Sequence, residues 1–115
     1  MKKILLLLAV VVWLAACNTR ASNDIIDPDA DYLYFYGKTC PHCMEVNRYM
    51  AENNIHDSYK IEKREIYQNQ KNNDMFQAVT QSLDIRDPGV PFVLNKATNE
   101  VTIGTDPVKA LFPPR

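Results

Sequence analysis

The chain has few of the residues that bind transition metals, with only three cysteines and two histidines in 115 residues. A structural zinc ion takes four Cys or His ligands. His42 is enclosed between Cys40 and Cys43, His56 is distant in sequence, and Cys17 belongs to a separate signal described below. A zinc site held within one chain is therefore not expected.

The chain also has no excess of positive charge, no internal repeat and no long hydrophobic run. Thirteen Lys and Arg against 14 Asp and Glu give a net charge of −1, so neither nucleic acid nor an anionic lipid surface is indicated as a partner. The main apolar run covers thirteen residues, 4–16. That is too short for a permanent membrane-spanning helix.

Three features at the start of the chain predict a bacterial lipoprotein signal over residues 1–16. A short basic segment, MKK, precedes the apolar run, and the run ends in Leu-Ala-Ala before Cys17. This ending resembles the lipobox of bacterial lipoproteins. The resemblance implies diacylglycerol on Cys17, cleavage before it and acylation of the new N-terminus. An ordinary signal peptide with a chance cysteine is the alternative.

Cleavage there would leave 99 residues with a net charge of −3, enough for one compact domain and too few for two. Residues 17–31, which are polar and acidic with Pro28 among them, are predicted to be the lipidated cysteine and a flexible tether. Residues 32–115 are predicted to be the domain. We expect a monomer in the cell envelope, facing the periplasm or the extracytoplasmic space. Asn18 after the lipid-bearing cysteine favours the outer membrane where the cell has one.

Hydrophobic periodicity and turn residues predict alternating strands and helices in the order βαβα followed by ββα. The predicted strands are Tyr32–Tyr36, a segment within Tyr59–Tyr67, Val90–Leu94 and Glu100–Ile103, and the predicted helices are Cys40–Asn53, Gln70–Leu83 and a short one from Gly104 to about Phe112. The proline near the start of the third strand suggests a cis peptide bond.

The sequence Cys40-Pro41-His42-Cys43 follows the first strand and begins the first helix. Unpaired N–H groups and the positive end of the helix dipole favour the thiolate form of Cys40, as does a cationic His42. Pro41 lacks only an N–H that has no helical partner. Cys43, one turn later, can attack a mixed disulfide formed at Cys40. A redox-active dithiol is thus predicted, with half a zinc site or a static disulfide as alternatives.

The order of these elements resembles the thioredoxin superfamily over residues 31–112. It combines C-P-x-C at a helix start, Val90-Pro91 at a strand start about fifty residues later, a hairpin, and a helix beginning with Gly104-Thr105-Asp106. C-P-H-C is typical of DsbA-type oxidants, whereas the length is closer to a minimal glutaredoxin. The resemblance implies an α/β, thioredoxin-like βαβαββα fold whose central four-stranded mixed sheet is flanked by helices.

The resemblance also implies a cis-proline loop at Val90-Pro91 that lies against the dithiol, with the backbone of Val90 binding an extended substrate segment. A trans proline at a strand edge is the alternative. The chain departs from the family pattern six residues before the first cysteine, where Tyr34 replaces a buried acid. The proton acceptor for Cys43 therefore stays open among water, Lys38 and Glu45.

These features predict an envelope thiol–disulfide oxidoreductase that acts without a cofactor on thiols or disulfides of exported proteins and exchanges electrons with a membrane redox partner. The tetrapeptide favours an oxidant. A reductase that supports haem attachment or metal-centre assembly is one alternative. Another is a Cu(I) carrier that uses Cys40 and Cys43 with His42 or Met44, and a third is a module that only binds a partner.

Overall fold

A computed structural model describes residues 26–115 of the chain. It has a four-stranded mixed sheet flanked by helices. The elements in chain order are β1 (Tyr32–Tyr36), α1 (Pro41–Glu52), α2 (Ile55–Ser58), β2 (Ile61–Glu65), α3 (Gln70–Ser82), β3 (Phe92–Asn95), β4 (Val101–Ile103) and α4 (Thr105–Leu111). The predicted signal peptide, Cys17 and most of the predicted tether lie outside the described residues. Within residues 26–115, none of the helices has the length and apolar character needed to cross a membrane.

The sheet has the strand order β2-β1-β3-β4, so β1 is hydrogen-bonded on both edges. It runs parallel to β2, with Tyr36 opposite Glu65, and antiparallel to β3. Because successive side chains of a strand point to opposite faces, Tyr34 enters one core while Leu33 and Phe35 enter the other. All three are fully buried.

Each face of the sheet has its own hydrophobic core. The core on one face lies under α1, α2 and α4, and its buried members are Tyr34, Val46, Met50, Ile55, Tyr59, Val93, Val108 and Phe112. The core on the other face lies under α3 and contains Leu33, Phe35, Ile66, Phe76, Phe92 and Leu94. Val46 and Met50 bring α1 into the first core, and Phe76 brings α3 into the second.

The predicted elements are confirmed to within about two residues, apart from one helix that the sequence analysis missed. Asn53 and Asn54 end α1 as predicted, but Asn54 adopts a left-handed conformation with φ 51°, which asparagine tolerates better than most residues. The chain then forms α2 and buries Ile55. His56 is exposed and lies on this helix.

The last six residues of the predicted tether, 26–31, lie on the domain. The N–H of Asp31 donates to the carbonyl of Lys60 at 2.9 Å, and the N–H of Asp27 donates to the carboxylate of Glu62 at 3.2 Å. Ile26 packs against the core under α3. The folded part of the chain therefore includes residue 26.

Gly104 joins the sheet to α4 in a conformation that favours glycine, with φ 105° and ψ 160°. Its N–H donates to the carbonyl of Pro91 at 3.0 Å. A side chain in this region of backbone space costs about 1–3 kcal/mol. We therefore expect Gly104→Ala to lower the free energy of unfolding by about that amount, measured by urea denaturation.

Gly89→Ala is the matched control, because a Cβ there would meet only Ile103 Cγ2 at an ordinary contact distance of 3.7 Å. This control should change stability by less than about 0.5 kcal/mol. Equal losses in the two variants would contradict the conformational explanation.

Candidate active site

The two cysteines of the C-P-H-C sequence lie at the beginning of α1. Cys40 is the N-cap residue and Pro41 is the first helical residue. The backbone N–H of Cys43 donates to the Cys40 sulfur at 3.2 Å. Both cysteines are free thiols in this structure. The helix start thus supplies the Cys40 sulfur with a backbone donor, which favours negative charge on it.

The two sulfurs differ in how far they can be reached. Cys40 retains 6% of its surface exposed, whereas Cys43 is fully buried. Of the two cysteines, Cys40 is therefore the one with some exposed surface.

Burial raises the pKa of the Cys43 thiol to about 12, and a side-chain hydrogen bond with Cys40 acts in the same direction. A bond that raises the pKa of a thiol stabilises its protonated form. At neutral pH Cys43 keeps its proton.

The loop before β3 lies against this dithiol. The peptide bond between Val90 and Pro91 is cis, as the sequence predicted. The carbonyl oxygen of Val90 is 3.9 Å from the Cys40 sulfur, and the Pro91 carbonyl accepts from Gly104. The structure thus brings Val90 and Pro91 to the cysteines, while their role in substrate binding stays a prediction.

His42 points across to α4. Its Nδ1 lies 3.2 Å from the hydroxyl oxygen of Thr105. Together with Val90, Pro91 and the start of α4, His42 lines a groove of about 510 Å³ beside the dithiol. Such a groove has room for a few residues of an extended chain.

The candidate proton acceptor Glu45 is engaged elsewhere. Its carboxylate accepts from the Lys109 ammonium at 2.9 Å, and this bond lowers the pKa of Glu45. Lys38 is another candidate proton acceptor. Its backbone N–H donates to the Glu65 carboxylate at 2.6 Å. Neither of these contacts directs a side chain to Cys43.

Tyr34, which stands where the thioredoxin pattern has an acid, is buried beneath the site and donates its hydroxyl to Asn47 Oδ1 at 3.0 Å. Burial raises the pKa of Tyr34 well above its usual range, and negative charge on Cys43 or Cys40 would raise it further. The phenol therefore keeps its proton. Tyr34 supplies a neutral neighbour to the dithiol and no base.

Tyr67 also belongs to the site, although the sequence analysis treated it only as the end of a strand segment. Its ring lies against Gly37. Burial raises the pKa of Tyr67, as do the charges of Cys40 and Cys43 and a side-chain hydrogen bond with Cys40. Parallel pairing of Tyr36 with Glu65 brings the residues after both strands to one edge. A correct prediction of this strand pairing would have placed Tyr67 beside Gly37.

The remaining predicted positions do not add to the dithiol. Met44, a candidate copper ligand, is 57% exposed on α1, and Cys17, the predicted lipid attachment residue, is outside the described part of the chain. In residues 26–115 no three His, Cys, Asp or Glu side chains cluster in a way that could hold a metal ion.

No family model, curated protein or solved structure matches this chain. What the site can do therefore follows from its own groups. They are the Cys40 sulfur with a backbone N–H donor, a fully buried thiol at Cys43 one turn away, and a groove beside both.

The different surroundings of the two thiols predict selective alkylation. Because the thiolate is the reactive form, a pKa near 12 keeps Cys43 inert at pH 8 and lets its reaction rate rise with pH toward pH 12. We expect iodoacetamide to modify Cys40 and to leave Cys43 unmodified in the folded, reduced chain carrying Cys17→Ser at pH 8, as read by mass spectrometry of peptides.

Cys40→Ser is the control, and its Cys43 should react at pH 8 only after unfolding in guanidinium. Rapid modification of native Cys43 in this variant would contradict the proposed protection.

Proposed function

We propose that the protein is a thiol–disulfide oxidoreductase with a thioredoxin-like fold, in which Cys40 is the nucleophile and Cys43 the resolving thiol. One observation carries this proposal. The sulfur of Cys40, a residue that is 6% exposed, accepts from the backbone N–H of Cys43 at 3.2 Å, while Cys43 is fully buried.

The strand order supports the thioredoxin-like part of the proposal. A central β1 that is parallel to β2 and antiparallel to β3 leads into α1, where the dithiol lies. The loop that begins β3 returns to the same edge and presents Val90 to Cys40. This is the arrangement expected from the resemblance in sequence.

The reaction follows in two exchanges. The Cys40 thiolate attacks one sulfur of a partner disulfide, a bond forms between them, and the partner's other sulfur leaves as a thiolate. Cys43 then loses its proton to solvent and attacks the Cys40 sulfur. The Cys40–Cys43 disulfide forms and the partner's second sulfur leaves. Two electrons pass from the protein to the partner, and the reverse sequence oxidises a partner dithiol.

The surroundings of Cys40 support the oxidising direction. The hydrogen bond to its sulfur from the backbone N–H of Cys43 favours a Cys40 thiolate, and His42 would add to this when cationic. Stabilising the thiolate stabilises the reduced protein, which makes its disulfide a stronger oxidant. A membrane redox partner would then regenerate the disulfide.

The groove supports an unfolded or extended polypeptide as substrate. It lies between His42 and the start of α4, with Val90 and Pro91 at its wall. Exported proteins with thiols or disulfides are the substrates we propose, reached from a lipid anchor at Cys17. A protein substrate needs only one accessible sulfur on the enzyme, which Cys40 supplies.

We expect Cys43→Ser to accumulate a mixed disulfide between Cys40 and the partner, because the resolving thiol is absent. The measurement is a non-reducing gel of the full-length variant in its cells, followed by mass spectrometry of the linked peptides.

Cys40→Ser is the matched control and should give no mixed disulfide. A module that only binds its partner would be unaffected by either substitution, and that outcome would contradict the oxidoreductase. Tight one-to-one Cu(I) binding without thiol exchange would also contradict the oxidoreductase function.

The reduction potential tests the direction of transfer. For the full chain carrying Cys17→Ser, so that only the dithiol remains, we expect a value above about −150 mV in glutathione buffers. A value below about −230 mV would exclude an oxidant and indicate a reductase.

A further inference from the structure

His42 is exposed, yet a hydrogen bond joins its ring to a different helix. The Nδ1 atom lies 3.2 Å from the hydroxyl oxygen of Thr105, the first residue of α4, and the two residues are 63 apart in sequence. An exposed histidine with no partner is free to move among its side-chain rotamers. The contact with Thr105 therefore restricts where the imidazole lies.

The position of Thr105 is set by the contacts of its neighbours. The N–H of Gly104, the preceding residue, donates to the carbonyl of Pro91 at 3.0 Å. One turn further along α4, the Lys109 ammonium bonds to the carboxylate of Glu45 on α1 at 2.9 Å. These contacts hold the start of α4 against the cis-proline loop and against α1. Thr105 is thus a fixed point to which an imidazole can be attached.

The chemistry of the hydroxyl suits this attachment, because a hydroxyl both donates and accepts. The Thr105 oxygen accepts from an Nδ1–H, and its O–H donates to an unprotonated Nδ1. The bond can therefore form in every protonation state of the ring. Within residues 26–115 it is the hydrogen bond that the His42 ring makes, which leaves Nε2 as the ring nitrogen for a ligand.

The attached ring lines the groove beside the dithiol, together with Val90 and Pro91. The Val90 carbonyl is 3.9 Å from the Cys40 sulfur, so the groove runs past the reacting atom. An extended polypeptide offers a backbone donor and an acceptor at almost every residue, and an imidazole Nε2 can bond to either. A small thiol reagent brings no such backbone to the groove.

We propose that Thr105 is a positioning residue that holds His42 in the wall of the groove, where Nε2 of His42 bonds to the backbone of an extended polypeptide substrate. The inference rests on the proposed oxidoreductase function and names a contact that selects polypeptides over small thiols. These hydrogen bonds transfer no electrons, so the balance of the two exchanges at Cys40 and Cys43 is unchanged.

Thr105→Val tests this inference, since it removes the hydroxyl and keeps a β-branched side chain. In the full chain carrying Cys17→Ser and oxidised at the dithiol, two rates are measured. One is disulfide transfer to a short unstructured peptide with two cysteines, and the other is reduction by dithiothreitol. Changes in the reactivity of Cys40 act on both rates and cancel in their ratio. We expect the peptide-to-dithiothreitol ratio to fall about fivefold, because the peptide loses one hydrogen bond, and Thr105→Ser to retain it.

Thr102→Val is the matched control, because Thr102 is half-buried like Thr105 but lies on β4, opposite Val93. It should leave the ratio of the two rates unchanged. His42→Ala should lower the ratio as Thr105→Val does. The two substitutions combined should lower it no further than either alone, because Thr105 acts through His42.

The outcomes separate the two proposals. If the parent reacts with neither the peptide nor dithiothreitol, the oxidoreductase function fails, and the role of Thr105 fails with it. A parent that reacts with dithiothreitol alone would keep the exchange chemistry and overturn the role of Thr105. If the parent reacts with both and Thr105→Val keeps the parent's ratio, only the role of Thr105 is overturned.

Two further results would overturn that role. An equal fall in Thr105→Ser would show that the effect does not depend on the hydroxyl. A further fall when Thr105→Val is added to His42→Ala would show that Thr105 does not act through the His42 ring.

Discussion

Strand β1 is paired on both edges and covered on both faces, and the candidate active site begins four residues after it ends. Its three inner side chains are fully buried, so the end of β1 has little freedom to move. Parallel pairing with β2 fixes the segment that carries Glu65 and Tyr67, and antiparallel pairing with β3 fixes the loop at Val90. The three backbone segments that surround Cys40 are therefore positioned by one strand.

This dependence explains which parts of the site the sequence could predict. The order of the cysteines, their place at a helix start and the proline that precedes β3 are local features, encoded within a few residues. The contact of Tyr67 with Gly37 joins residues 30 apart in sequence. The contact depends on the register in which β1 pairs with β2. The charged residues of β2 do not fix that register in the sequence.

The same reasoning applies to the fold. Strong periodicity located the long helices and the strands, because the buried positions repeat at the spacing of each element. Helix α2 is a single turn whose formation depends on the left-handed Asn54 and the burial of Ile55, and four residues are too few for a periodic signal. Residues 26–31 have a polar composition typical of a tether, but their backbone groups find partners at Lys60 and Glu62.

Tyr34 lies six residues before Cys40, where the thioredoxin pattern that the sequence resembles has a buried acid. A carboxylate beneath the cysteines would compete with a thiolate for positive potential and could accept the proton of Cys43. Tyr34 does neither, since its phenol stays protonated and bonds to Asn47. Cys43 is buried with its proton as well. Negative charge in the reduced protein is therefore expected on the Cys40 sulfur, which accepts from the backbone N–H of Cys43. If the pair exchanges thiols and disulfides as proposed, a single stabilised thiolate at Cys40 would let the protein accept electrons more readily than it gives them up, which favours the oxidising direction.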